Sequence, residues 1–90
     1  MSKLVKKNPF STVQLKSLGD QLTEYAKQDW PECPGLTLEF NYLTRLYMLS
    51  VKGTKHSRAF SMKAVVEICG GARDPSYAIR DLQESVTAAQ

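Results

Sequence analysis

LTLEFNYLTRLYMLSVKGTKHSRAFS, residues Leu36 to Ser61, is the stretch that decides the fold. Leu36, Leu38, Phe40 and Tyr42 alternate with Thr37, Glu39 and Asn41, the period of two expected of a half-buried strand. Arg45 to Lys52 holds Leu46, Tyr47, Met48, Leu49 and Val51, residue types that suit a pleated, packed surface. Lys52-Gly53-Thr54-Lys55 reads as a turn, because glycine reaches positive φ without steric cost, and His56 to Ser61 pairs back as a third strand. No acidic residue occurs from Asn41 to Val66, whereas Arg45, Lys52, Lys55, Arg58 and Lys63 all fall there.

Helical signals flank this core. Ser11 with Gln14 forms a capping box, and Phe10 is placed to staple onto Leu15. Leu15, Leu18, Leu22 and Tyr25 give one apolar stripe. Gly19 costs such a helix about 1 kcal/mol relative to alanine, and Pro31 forbids its continuation past Asp29-Trp30. Trp30 is expected as a lid over the helix–sheet junction, and Cys33 as an exposed loop thiol between two prolines. Residues 61–69 fit either a short helix, with Met62, Val65, Val66 and Cys69 inward, or an extension of the third strand. The helix is preferred, with Gly70-Gly71 as its stop. Asp74 as N-cap and Pro75 at the first helical position open a last helix with Ile79, Leu82, Val86 and Ala89 on its apolar face.

The fold class is therefore α+β: an N-terminal amphipathic helix, a short antiparallel sheet of two or three strands and a C-terminal helix, with a short helix before it. The helices pack on one sheet face, and the other face is expected to stay open and hold the hairpin's cations. Ninety residues make one domain, 10–90, preceded by a basic flexible arm, 1–9. In strand two, Tyr47, Leu49 and Val51 oppose Leu46 and Met48, so apolar side chains occupy both faces and a homodimer contact on the open face is one expectation.

Net charge is only +3, but its distribution is uneven: residues 1–10 sum to +3, 11–40 to −3, 41–63 to +5 and 64–90 to −2. No apolar run approaches the roughly 20 residues that span a bilayer. Lys3, Lys6 and Lys7 are followed by no apolar segment of the export type, so a cytoplasmic protein with reduced thiols is expected. Phosphate-loop, dinucleotide, metalloprotease and nucleophile-elbow motifs are absent from the sequence, and two scattered cysteines with one histidine offer no zinc spacing. Neither enzymatic activity, a cofactor nor a metal is expected.

Cations beside hydroxyls suit phosphate oxygens, the first by Coulombic attraction and the second by short hydrogen bonds. On that ground the expected function is a small nucleic-acid-binding regulatory module, for DNA rather than RNA. It would use a basic hairpin (Lys52, Lys55, His56, Arg58), with Arg45, Lys63 and the arm lysines Lys3, Lys6 and Lys7. The alternative is a protein-interaction module, docking an acidic partner or a second copy through Tyr47, Met48, Leu46 and Trp30.

Helix, three strands, helix resembles the element order of double-stranded-RNA-binding domains, although Asp74-Pro75-Ser76-Tyr77 stands where that family begins its last helix with lysines. Lys63 to Leu82 resembles a helix-turn-helix, with Gly70-Gly71 in a turn about two residues too long and AIRDLQ in the second helix. Neither resemblance assigns a family.

Overall fold

A computed structural model describes residues 10–89. In chain order the elements are α1 (Thr12–Lys27), β1 (Leu36–Asn41), β2 (Leu46–Val51), β3 (Ser57–Phe60), α2 (Met62–Cys69) and α3 (Ser76–Ala88). The strands form one antiparallel sheet in the order β1-β2-β3. The arm 1–9, with Lys3, Lys6 and Lys7, lies outside the described residues.

Register sorts the side chains by face. Leu38 opposes Leu49, Phe40 opposes Tyr47, and Tyr47 opposes Phe60, so these share one face with Leu36 and Val51. All of them are buried except Phe40, which packs partly buried against the same cluster. The awkward alternation of strand two is thereby settled. Tyr47, Leu49 and Val51 are core, and Leu46 and Met48 stand half-buried on the other face.

The capping box at Ser11 forms as expected: the Gln14 N–H donates to Ser11 Oγ at 3.1 Å and the Ser11 N–H to Gln14 Oε1 at 2.8 Å. Leu15, Leu18 and Leu22 enter the core, but the fourth position of the stripe is Ala26 instead of Tyr25. Tyr25 is 41% exposed, and its hydroxyl bonds Asp74 (3.0 Å) and Ser76 (2.8 Å), tying α1 to the start of α3. Gly19 has a structural cause: a Cβ there would lie 3.2 Å from the Leu36 carbonyl oxygen and 3.4 Å from the Leu38 nitrogen. This close approach also lets Thr23 Oγ1 accept the Leu36 N–H at 2.9 Å, satisfying an edge-strand donor that points away from the sheet. Trp30 is buried as the lid expected.

Two cysteine expectations reverse. Cys33 is buried, drawn inward by a turn in which its N–H donates to the Trp30 carbonyl at 3.0 Å. Cys69 is exposed, because α2 turns Ala64, Val65 and Ile68 to the core and leaves Val66 and Cys69 outward. Residues 62–69 are helical, capped by Ser61 Oγ, which accepts the Ala64 N–H at 3.1 Å. Gly71, at φ +80°, then ends α2. Six residues, 70–75, separate α2 from α3, longer than a helix-turn-helix corner. Asp74, the expected N-cap, lies one residue before the observed one. Pro75 takes that position, and Asp74 Oδ1 accepts the Ser76 N–H at 2.9 Å. Ala89, placed by periodicity on the apolar face of α3, is exposed beyond the end of the helix, whereas Ala78, Ile79 and Leu82 are buried.

Candidate functional site

The open sheet face is not where the cations are. Register puts Thr37, Glu39, Asn41, Leu46, Met48, Ser50, Ser57 and Ala59 on it, and among these strand positions the sole formal charge is Glu39. The expectation of a positive open face fails on parity. Arg58 opposes Leu49, a core residue, so it points to the helical side. There it pairs with Asp81 of α3, and its guanidinium lies 5.4 Å from the Tyr77 ring centroid.

The remaining basic residues of 41–63 divide between the two ends of the strands, which β2 separates by roughly 17 Å. Lys52 and Lys55 sit exposed in the β2–β3 turn with half-exposed His56. That turn is closed by the Val51 N–H donating to the His56 carbonyl (3.1 Å) and by Thr54 Oγ1, which accepts the His56 N–H (3.1 Å). The loop that feeds β1 arrives at the same end, since the Lys52 N–H donates to the Gly35 carbonyl at 2.9 Å. That loop carries Asp29 and Glu32.

The opposite end is built differently. Tyr47 opposes Phe60, so Arg45, two residues before Tyr47, and Lys63, three after Phe60, belong to the same end of the sheet. Both are exposed. Two helices begin here, α1 after Phe10 and α2 after Phe60, and neither has an acidic residue in its first turn. Helix N-termini carry partial positive charge, so both reinforce the same sign. Phe10, just before the α1 cap, sets its ring edge-on to Tyr47 at 5.8 Å and so holds the start of α1 at this end of the sheet. The exposed cations of this stretch thus lie at the ends of the strands and not on the open face.

The β1–β2 tip projects from this same end. Asn41 Oδ1 accepts the Leu43 N–H (2.9 Å) and the Thr44 N–H (3.2 Å), and the Arg45 N–H donates to the Asn41 carbonyl at 2.7 Å. Tyr42 is 76% exposed and Leu43 95% exposed, while Arg45 adopts φ +61°. Composition offered no signal for this tip: Tyr42 continued the alternation of strand one, and Leu43 stood among other apolar residues. An Asn four residues before an arginine in the left-handed region is visible only once the hairpin register is known.

For the alternative surface, Trp30 is buried and Tyr47 fully enclosed. Of the four residues named for it, Leu46 and Met48 face outward. A groove of about 600 Å³ between α1 and the edge of β1 is lined by charges of both signs, Lys16, Asp20, Glu39 and Lys52, and selects neither. No helix among the described residues is long and apolar enough to cross a membrane. No protein-family model, curated protein or solved structure matches the chain.

Proposed function

We propose that this protein is a non-enzymatic nucleic-acid-binding module whose contact surface is the end of the sheet bearing Arg45, Lys63 and the root of the lysine arm. One observation carries the reading: two exposed cations and two helix N-termini free of first-turn acids coincide there, and Lys3, Lys6 and Lys7 precede the first of those helices in the sequence. A polyanion approaching this end meets Arg45 and Lys63, with Glu39 set back on the open face and Asp20 on α1, while Asp81, Glu84, Glu67 and Asp74 lie on the helical layer. The β2–β3 hairpin, with Lys52, Lys55 and His56, is a second patch at the far end, beside Asp29 and Glu32.

The test is binding to a labelled duplex DNA across a salt series. Each phosphate contact adds about 0.9 to the slope of log affinity against log salt. Arg45→Glu with Lys63→Glu should abolish binding at 100 mM salt, and Lys52→Glu with Lys55→Glu should weaken it only slightly. Equal losses from both pairs would move the site to the whole strand length. No binding at low salt by the parent protein, at tens of micromolar, would end the reading.

A second reading follows from Leu46 and Met48 on the open face: self-association or docking of a partner strand layer there. Solution mass with Met48→Asp decides it, because a dimer that dissociates on that change requires the face, and a monomer at high concentration excludes self-association.

A further inference from the structure

We propose that the β1–β2 tip is a wedge for the minor groove of duplex DNA, with Leu43 entering between adjacent base pairs and Arg45 lying in the groove beside it. This inference rests on the nucleic-acid reading and deepens it. Leu43 is 95% exposed, so its side chain contributes almost nothing to the protein's own core. Yet its backbone is held firmly. Its N–H and that of Thr44 both donate to Asn41 Oδ1, the Arg45 N–H donates to the Asn41 carbonyl, and the Leu46 N–H donates to Thr44 Oγ1 at 3.3 Å. Tyr42 is held too, since its ring stands edge-on to Phe40 at 4.8 Å and Phe40 in turn lies 4.9 Å from Tyr47 in the core. An apolar residue displayed on a rigid backbone loses little freedom on binding, which favours an inserted role over a chance exposure.

The surroundings select the partner. The tip stands at the end with Arg45 and Lys63, and no acid occurs from Asn41 to Val66. A four-residue tip is narrow enough for a groove about 6 Å wide. Apolar wedges unstack a base step and bend the duplex, and arginine is drawn to the negative potential of a narrow minor groove. Leu43 and Tyr42 together offer far less apolar surface than the amphipathic helix face or acyl chain that holds a protein on a bilayer.

The experiment uses the full chain and a duplex of about 20 base pairs with a central TA step, labelled at both ends for energy transfer. The parent protein should shorten the end-to-end distance. Leu43→Ala should weaken binding roughly tenfold, the scale of one leucine's burial, and should restore the straight duplex with the salt slope unchanged. Because the Leu43 side chain is almost wholly exposed, its truncation leaves folding intact, which circular dichroism verifies. If the protein binds with the Arg45 and Lys63 dependence given above but Leu43→Ala changes neither affinity nor distance, the wedge is wrong and the nucleic-acid reading stands. If the parent protein binds no DNA, or binds phosphatidylserine vesicles in its place through Leu43, both fall.

Discussion

Arg58 of β3 and Asp81 of α3 form an ion pair across the seam between the sheet and the last helix, with the Tyr77 ring beneath the guanidinium. The pair neutralises the one strand-borne cation of the hairpin and turns it into a packing element. Both side chains are substantially solvated, at 37% and 52% exposure, so the charge interaction is worth at most about 1 kcal/mol. Arg58→Ala should therefore lower stability by about 1 kcal/mol, including the lost stem and ring contacts. It should leave DNA affinity within twofold. Urea denaturation and the binding isotherm measure the two separately. A large affinity loss with unchanged stability would put Arg58 on the contact surface after all.

The α1–β1 contact leads to a second prediction. An alanine at position 19 gains about 1 kcal/mol of helix propensity. Its Cβ, however, meets the backbone of Leu36 at 3.2 Å and of Leu38 at 3.4 Å, and a strand backbone yields less readily than a side chain. Gly19→Ala should be net destabilising by about 1 kcal/mol. Thr23→Val should cost about 1–2 kcal/mol, because the Leu36 N–H loses its partner in a half-buried place. A stabilised Gly19→Ala variant would mean that α1 can lift off β1 without loss.

Local signals were legible wherever the chain's own neighbours determine structure. The Ser11–Gln14 box, the alternation of Leu36 and Leu38, and the Gly70-Gly71 stop each depend on residues within a turn of one another. What was not legible depends on register. Whether Arg58 faces solvent or α3 is decided by the residue opposite it, Leu49, and nothing in the sequence of the hairpin states that pairing. Cys33 and Cys69 were misplaced for the same kind of reason, since a turn hydrogen bond and the rotation of an eight-residue helix set their burial. The candidate site suffered most. Its residues come from the β1–β2 tip, the first turn of α2 and the start of α1, which only the fold brings to one end.

Acid should loosen the start of α3. Asp74 accepts the Ser76 hydroxyl at 2.6 Å and backbone N–H at 2.9 Å and the Tyr25 hydroxyl at 3.0 Å. The Ser76 hydroxyl bond, then its backbone N–H and the Tyr25 hydroxyl, favour the carboxylate and hold its pKa below the ordinary 3.8. A group whose folded pKa is depressed contributes stability at pH above its unfolded value and loses that contribution as pH falls through the folded one. The contribution is thus intact at neutral pH and declines below about pH 4. Asp74→Asn should remove that part of the acid transition and leave the alkaline side unchanged, as followed by circular dichroism between pH 7 and pH 2. Tyr25→Phe should shift the same transition by a smaller amount. A pH profile identical in all three proteins would show that Asp74 titrates alike in the folded and unfolded chain.

In the proposed DNA complex, Arg45 sets stability against binding. Its φ of +61° lies in the left-handed region, which costs a residue with a Cβ roughly 1–2 kcal/mol. Glycine avoids that cost, though it adds about 0.5–1 kcal/mol of backbone entropy to be lost on folding. The balance for Arg45→Gly is a gain of about 0.5 kcal/mol, and for Arg45→Asn, which tolerates the same φ with a stiffer unfolded chain, about 1 kcal/mol. In the proposed complex, the contact made by the Arg45 guanidinium offsets that backbone cost. Both variants should therefore raise the urea midpoint while lowering DNA affinity several-fold, with the salt slope reduced by about one unit for the lost phosphate contact. The hydrogen bonds of Asn41 hold the turn in either variant, so the loss would come from the missing guanidinium and not from a rearranged tip. Higher stability with unaltered binding would place Arg45 outside the contact surface and leave Lys63 and the arm to account for it. Lower stability in both variants would show that the turn gains from the arginine side chain more than its φ costs.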